Sequence, residues 1–527
     1  MARSIPGTKG MVIFMKKMFA LFLCIMLVLA VFSGCGKKDA NKSSETSSVS
    51  EDSDVSDGEG EEQIGDDGEV LVPDGTSTEG TASGGTSKGS AASSKGGGTS
   101  SKSGGSTASG GAGGSAPANT SKTLNLPKTT QEKAFESAKG SSILMFYDGN
   151  ISDNDKKIAD EFKERYGISI KYEVMGWAEY NSKIAQRVAS GNPPDTAVMT
   201  DATALRFMYG GIAQPLNKYI NTADKIWDFE AVKDYSIGKN IYGLPIKDIN
   251  TFFIYYNKTM FDELGKKEPY KYYTEGTWTF DTFRKVAKEM TQYAADKTTV
   301  TCYGFASWYK ELFVLAAGGN IISQTADGRY ASSIGTPNAI AGLNMIKNLS
   351  LDGSYDPNVT GYKEFKNRQV AMIGERPFNA IGQYDYYNTM KDKIGIVPVP
   401  KESASAKLYA PNNLSTYYVP VNAKNPSGGV AWAYFNLYRA LEGEKQNYEP
   451  VVSYRKKSIS DEHKSIIDTY LSKSTPLASK LDSLNGWGGD NSNEFWSGLI
   501  EQHKNAEEVI GSMKTMLDTA IVRTIGK

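Results

Sequence analysis

Beginning at Ser141, short apolar runs take turns with stretches of helical spacing, and this alternation leaves few folds open. SSILMFYDGN reads as a buried strand ended by a turn signal. DNDKKIADEFKERYG follows, with Ile158, Ala159 and Phe162 at helical spacing and Gly167 as a stop. ISIKYEVMG then reads as a strand, AEYNSKIAQRVASG as a helix and PPDTAVMT as another strand. The pattern predicts βαβ units around a parallel sheet covered on both faces, an α/β class. Ligands on such sheets bind beyond the carboxyl ends of the strands, which singles out the loops at 147–150, 176–177 and 200–203.

The part before this body reads differently. Lys16 and Lys17 precede an apolar run over 18–32, shorter than the ~20 residues of a bilayer span and closer to a signal-peptide core. Phe32, Ser33, Gly34 and Cys35 resemble the bacterial lipobox, although that pattern usually has an aliphatic residue where Phe32 stands. By that resemblance 1–34 is a lipoprotein signal peptide and Cys35 carries the lipid. Residues 35–127 hold almost no large apolar side chains and split into an acidic half and a Gly/Ser/Thr half, so they cannot bury a core. The stretch EDSDVSDGEGEEQIGDDGE has ten carboxylates and no basic group, which keeps it extended. It fails as a calcium loop because Asp57 stands where the turn glycine is required, with Gly58 one place late. GTSKG, at 85–89, matches a nucleophile-elbow pattern by composition alone, with no strand or helix around it. A flexible coil of ~90 residues spans roughly 50 Å, enough to tether a folded body to a membrane.

Composition narrows the function further. The net charge is −1, and no basic stripe appears, so a nucleic-acid partner is not expected. Besides Cys24 in the signal and Cys35, only Cys302 remains, which leaves no internal disulfide in the mature chain. His463 and His503 with that single thiol do not make the usual zinc ligand sets, so no metal or other cofactor is expected. About 400 residues follow the tether, more than one core serves, and two domains are the expectation.

The body also resembles a known family, the family-one extracellular solute-binding proteins of ABC importers. The resemblance rests on the strand–helix opening, on SGNPPDTAVMTD followed by GGIAQPLNKYI, and on YGLPIKDINTFFIYYNKTMFDELG leading to TWTFDTFRKVAKEM. FKNRQVAMIGERPF, IGIVPVPK, AKNPSGGVAWAYFNLYRA and a closing amphipathic helix over 506–521 continue it in the family's order. It implies a two-lobed periplasmic-binding-protein-like fold (type II, cluster D-like), each lobe a mostly parallel sheet covered by helices, with the ligand in the cleft. Lobe 1 would span 140–250 plus 417–460 and lobe 2 253–412 plus 461–527, with hinges near 249–253 and 413–418.

Sugar recognition needs flat apolar faces for pyranose rings, with carboxylates, amides and guanidinium groups for the hydroxyls. Trp308 falls where the family places a stacking aromatic, and Phe378, after Glu375, Arg376 and Pro377, matches a second such position. Ala380 replaces a tryptophan expected two residues later. Trp496 matches a third aromatic position, and Trp487 sits in a glycine-rich loop within reach of a cleft. Trp278 is assigned to packing. Among polar groups, Asp148 and Asn150 follow the first strand, Asp201 ends a strand, and Asp248 and Asn250 lie at the first hinge. Each of these equally suits a helix cap or an Asx turn. Arg376 suits paired hydroxyls or an acidic group, or an internal pair with Glu375.

The expectation is therefore a monomeric binding protein, not an enzyme, lipid-anchored on the extracellular face of a Gram-positive cell. It would capture an oligosaccharide and pass it to ABC permease subunits. Peptide or polyamine ligands, a glycan-acting hydrolase and a non-transporting sensory or adhesive receptor are the alternatives.

Overall fold

The computed structural model describes residues 123–247, 250–446, 448, 460–487 and 490–526. Cys35, the signal segment, the acidic run and GTSKG lie outside the described residues, as does Asp248. Leu126 and Pro127, read from sequence as the end of the tether, are docked on the body. Arg165 donates to the Leu126 carbonyl at 2.7 Å and the Pro127 carbonyl at 2.6 Å, and Gln446 Nε2 donates to the Asn125 carbonyl at 2.6 Å.

Along the chain, β1 (Ser142–Asp148), α1 (Asp153–Tyr166), β2 (Ser169–Met175), α2 (Trp177–Ala189), β3 (Ala197–Thr200) and α3 (Ala204–Tyr209) keep the predicted alternation. Ser152 starts α1 through a capping box with Asp155, and Gly167 ends it at φ 68°, a conformation that costs glycine little. Next come β4 (Gly243–Pro245), β5 (Phe253–Asn257), α4 (Phe280–Met290), α5 (Leu312–Ala316), α6 (Pro337–Leu351), β6 (Met372–Glu375), β7 (Ile394–Pro398), β8 (Tyr409–Asn412) and β9 (Ser415–Tyr418). The chain continues through α7 (Pro426–Lys445), α8 (Asp461–Lys473), β10 (Thr475–Ala478), α9 (Asp490–Ile500) and α10 (Ala506–Ile525).

These strands form two sheets built on one plan. In the first, β2 pairs with β1 in parallel, and a parallel bridge from Met145 to Thr196 brings β3 alongside. β9 then runs antiparallel to both β3 and β4. In the second, β5 runs antiparallel to β6 and β7, Ala306 bridges to β6 in parallel, and β8 and β10 make a separate parallel pair. Each sheet is thus mostly parallel, and the strand that runs against the rest is the one adjoining a passage to or from the other sheet. The passages lie between Pro245 and Phe253 and between Asn412 and Ser415, and they are bonded to each other at Thr251 and Asn412.

Burial follows the strand period of two. In β5, Phe253 and Tyr255 face a core with Ile373, Ile396 and Tyr470, whereas Ile254 and Tyr256 face the opposite core with Phe261 and Phe283. Such a strand is covered on both sides, which explains its unbroken apolar sequence. The first sheet rests on α1 and α7 through Phe162, Trp432 and Phe435. Gly429 of α7 is needed there, since a Cβ would come within 2.1 Å of the Asp195 carbonyl oxygen. α10 packs on both α3 and α6, and one continuous apolar cluster reaches from Phe146 in the first lobe to Trp496 in the second.

Candidate functional site

The passage at 412–414 is the meeting point of two buried charged networks. From the second sheet, β6 ends in Glu375, which is 0% exposed. Its Oε2 accepts the Trp308 indole N–H at 2.8 Å, and its Oε1 accepts the Arg376 backbone N–H at 2.6 Å and the Asn379 amide at 3.0 Å. Burial pushes this carboxyl up from its ordinary range, while the Arg376 guanidinium and the donated hydrogen bonds pull it back. The Arg376 guanidinium lies 5.2 Å from the Trp308 ring centroid and donates to Asn413 Oδ1 at 3.2 Å. Trp308 itself is half-buried, tilted on Phe252 at 5.6 Å, and Phe252 stacks on Tyr309 at 4.8 Å. Phe378 opens a π-helical turn, Phe378–Gln383, and stands 54% exposed. Single π turns of this kind often mark functional sites.

From the first sheet, Asp201 follows β3 and is 1% exposed. Lys480 Nζ lies 3.1 Å and the Tyr235 hydroxyl 3.2 Å from Oδ1, and the Leu414 backbone N–H donates to Oδ2 at 2.6 Å. Lys480 also sits 5.0 Å from the Tyr235 ring centroid. Burial alone would lower the Lys480 ammonium, but the Asp201 carboxylate reverses this and holds it well above its ordinary range.

The expected site residues therefore separate. Trp308 and Arg376 come together beside the passage, Phe378 stands exposed in the π-helical turn that follows Arg376, and Asn250 lies on the passage with its carbonyl bonded to the Asn413 N–H at 3.1 Å. Asp148 is half-buried at the end of β1, and Asn150 is exposed in the loop after it. Asp201 is buried, with both oxygens bonded within the protein, and it clasps Lys480. Trp487 and Trp496 are buried too. They are 0% and 4% exposed and flank Phe495 with ring centroids 5.7 and 4.8 Å away, because α9 turns that face inward against α10. Trp278 is packed as read, with its indole N–H on the Pro398 carbonyl at 2.9 Å.

Sequence reasoning missed Glu375, Lys480, Tyr235 and Asn413 as network members. Asn413 carried a signal, its place in the predicted second hinge. Among the described residues, no group of three or more His, Cys, Asp or Glu side chains is placed to hold a metal ion, and no helix is long and apolar enough to cross a membrane. A cavity of about 340 Å³ lies elsewhere in the second lobe, lined by Tyr273, Trp278, Leu408, Lys401 and Lys473 among others.

Residues 157–458, more than half of the chain, match the family model described as "Bacterial extracellular solute-binding protein". The chain belongs to this family. Among curated relatives of this solute-binding protein, one from Brucella abortus (strain 2308), named a "Putative binding protein", is 26% identical over 265 residues, 46% of this chain. The match spans 58% of that relative's length. Among solved structures, an ABC substrate-binding protein of Listeria monocytogenes in complex with cycloalternan aligns with a TM-score of 0.56 at 16% identity, over 73% of this chain and 99% of that one. An ABC transporter associated binding protein of B. animalis subsp. lactis Bl-04, in complex with β-1,6-galactobiose, gives 0.54 at 14% identity, over 73% and 98%. A cyclo/maltodextrin-binding protein complexed with maltotetraose gives 0.53 at 18%, over 73% and 98%. At these identities the structures establish the two-lobed α/β fold.

Proposed function

We propose that this solute-binding protein captures a neutral carbohydrate, an oligosaccharide, between its lobes and delivers it to an ABC permease, held at the outer face of the membrane by a lipid on Cys35. The observation that carries the reading is the pairing of a half-buried Trp308 and an exposed Phe378 with carboxylates already consumed within the protein. Apolar ring faces remain for the C–H surface of a sugar. Glu375 and Asp201 are 0% and 1% exposed and already bonded within the protein, which leaves them out of reach of the ammonium group of a peptide or polyamine. The sugars named with the structural relatives, cycloalternan, β-1,6-galactobiose and maltotetraose, agree with that chemistry. Lobes at 140–250 plus 417–460 and 253–412 plus 461–527 would close about the paired passages, and a ligand drives closure only by contacts that differ between the open and closed states.

A thermal-shift panel of glycans, peptides and amines tests the ligand class, since a molecule bound only by the folded state raises the midpoint. A response to amines or peptides with none to glycans would refute it. Anchoring is tested apart: Cys35→Ala should lose detergent partitioning or accumulate as precursor, and unchanged partitioning with normal processing would exclude the lipid.

A further inference from the structure

Trp308 and Phe378 come from segments about seventy residues apart in sequence, yet the same buried carboxylate bonds to Trp308 and to both neighbours of the Pro377–Phe378 pair. Glu375 accepts the Trp308 indole N–H at 2.8 Å, which fixes the tilt of the ring. It also accepts the Arg376 N–H at 2.6 Å and the Asn379 amide at 3.0 Å, the two residues that flank Pro377 and Phe378 at the start of the π-helical turn. An ionised carboxylate only accepts, so three N–H donors can converge on its two oxygens without conflict. We infer that Glu375 is the positioning residue of the ligand platform: it touches no ligand, and it sets the orientation of the Trp308 ring and of the turn that presents Phe378. The inference rests on the reading of those two aromatics as the sugar-binding face.

The chemistry of the substitution gives the test its edge. Glu375→Gln keeps the volume but replaces one oxygen by an NH₂ group. If the amide oxygen stays on Arg376 and Asn379, that NH₂ meets the Trp308 N–H donor to donor, and the indole must turn away. If the amide flips, the conflict moves to the turn carrying Phe378. Each arrangement leaves a buried donor unpaired.

The full chain, with its seven tryptophans labelled as 5-fluorotryptophan, gives one readout that needs no ligand. The Trp308 resonance is assigned by its loss in Trp308→Phe. In Glu375→Gln it should move while the resonances of the core residues Trp487 and Trp496 stay; an unmoved Trp308 resonance overturns the assignment of Glu375. Calorimetric titration with maltotetraose and β-1,6-galactobiose gives the second. Glu375→Gln should weaken whichever glycan binds by about tenfold or more, and in a Trp308→Phe background the same change should add much less, as expected of two residues acting through one contact. Full additivity of the two losses overturns the coupling. If the wild type binds no glycan, the platform reading fails and the positioning role falls with it, whereas glycan binding with an unmoved resonance refutes Glu375 alone. Should Glu375→Gln not fold, Glu375→Asp, which keeps the charge and withdraws it by one methylene, is read in the same two ways.

Discussion

Lys480→Met removes one charge from a pair that water does not reach. The side chains of Lys480 and Asp201 are 4% and 2% exposed, with Nζ and Oδ1 3.1 Å apart. Methionine replaces the apolar stem and deletes the ammonium, so Asp201 keeps only the Tyr235 hydroxyl and the Leu414 N–H. Breaking one side of a buried pair costs about 3–5 kcal/mol, because the remaining charge stays desolvated without a partner. Urea unfolding of wild type and variant should show a loss of that size at pH 7. Burial already pushes the Asp201 carboxyl up against the pull of Lys480, and without the ammonium it rises further. A carboxyl with a raised folded-state pKa loses stability as pH rises, so the deficit of the variant should shrink as pH falls toward the ordinary carboxylate range. The double change Asp201→Asn with Lys480→Met should recover most of the loss, since neutral groups at both places remove the unpaired charge. A cost below about 1 kcal/mol for Lys480→Met, or no recovery in the double variant, would refute the buried clasp.

Trp308→Ala should weaken glycan binding by roughly thirtyfold in calorimetric titration, with a much smaller effect on apo unfolding than a fully buried ring would show. Trp487→Ala should do the reverse, costing about 3–5 kcal/mol in urea unfolding with unchanged affinity per folded molecule. Glu311 is 5% exposed, and burial, reinforced by Asp482, pushes its carboxyl up to about 8. Its contribution to stability is therefore complete below about 4.5 and is lost as pH rises through about 8, so thermal midpoints of Glu311→Gln should fall less over that window than those of wild type. A chain beginning at Lys122 should melt with the full-length protein. One beginning at Glu132 should melt lower, because it loses the Arg165 bonds to Leu126 and Pro127.

The strand–helix alternation was legible because its signals are local. A capping box, a left-handed glycine and a period of two or 3.6 are each contained within one element, and β1 through α3 follow them. The burial of Trp487 and Trp496 was not legible, because an aromatic residue looks the same in sequence whether it faces a cleft or a core. What settles their place is the α9 and α10 packing. Lys480 gave no signal at all. Its partner lies 279 residues away, and a lysine in sequence implies solvent unless that partner is known. Glu375 was hidden by its neighbour: a carboxylate followed by an arginine suggests a simple ion pair, whereas Arg376 Nε stands 3.6 Å from Oε1 and the shorter bonds go to Trp308, Asn379 and the Arg376 backbone.

The three residues of the return passage are held from different sides. Asn412 accepts the Thr251 hydroxyl at 2.5 Å on Oδ1, Asn413 accepts Arg376 at 3.2 Å, and the Leu414 N–H is held by Asp201 at 2.6 Å. Arg376 is the member that also lies over Trp308, so the platform and the passage share a side chain. On the proposed reading, a sugar stacked on Trp308 presses on a ring whose other contacts lead through one guanidinium to the strand about which the lobes rotate. Its binding energy acts on closure to the extent that those contacts differ between the open and closed arrangements. The carboxylate of the Asp201–Lys480 clasp bonds to the neighbouring residue, Leu414, through its N–H, so the two passage residues beside each other are tied to opposite networks.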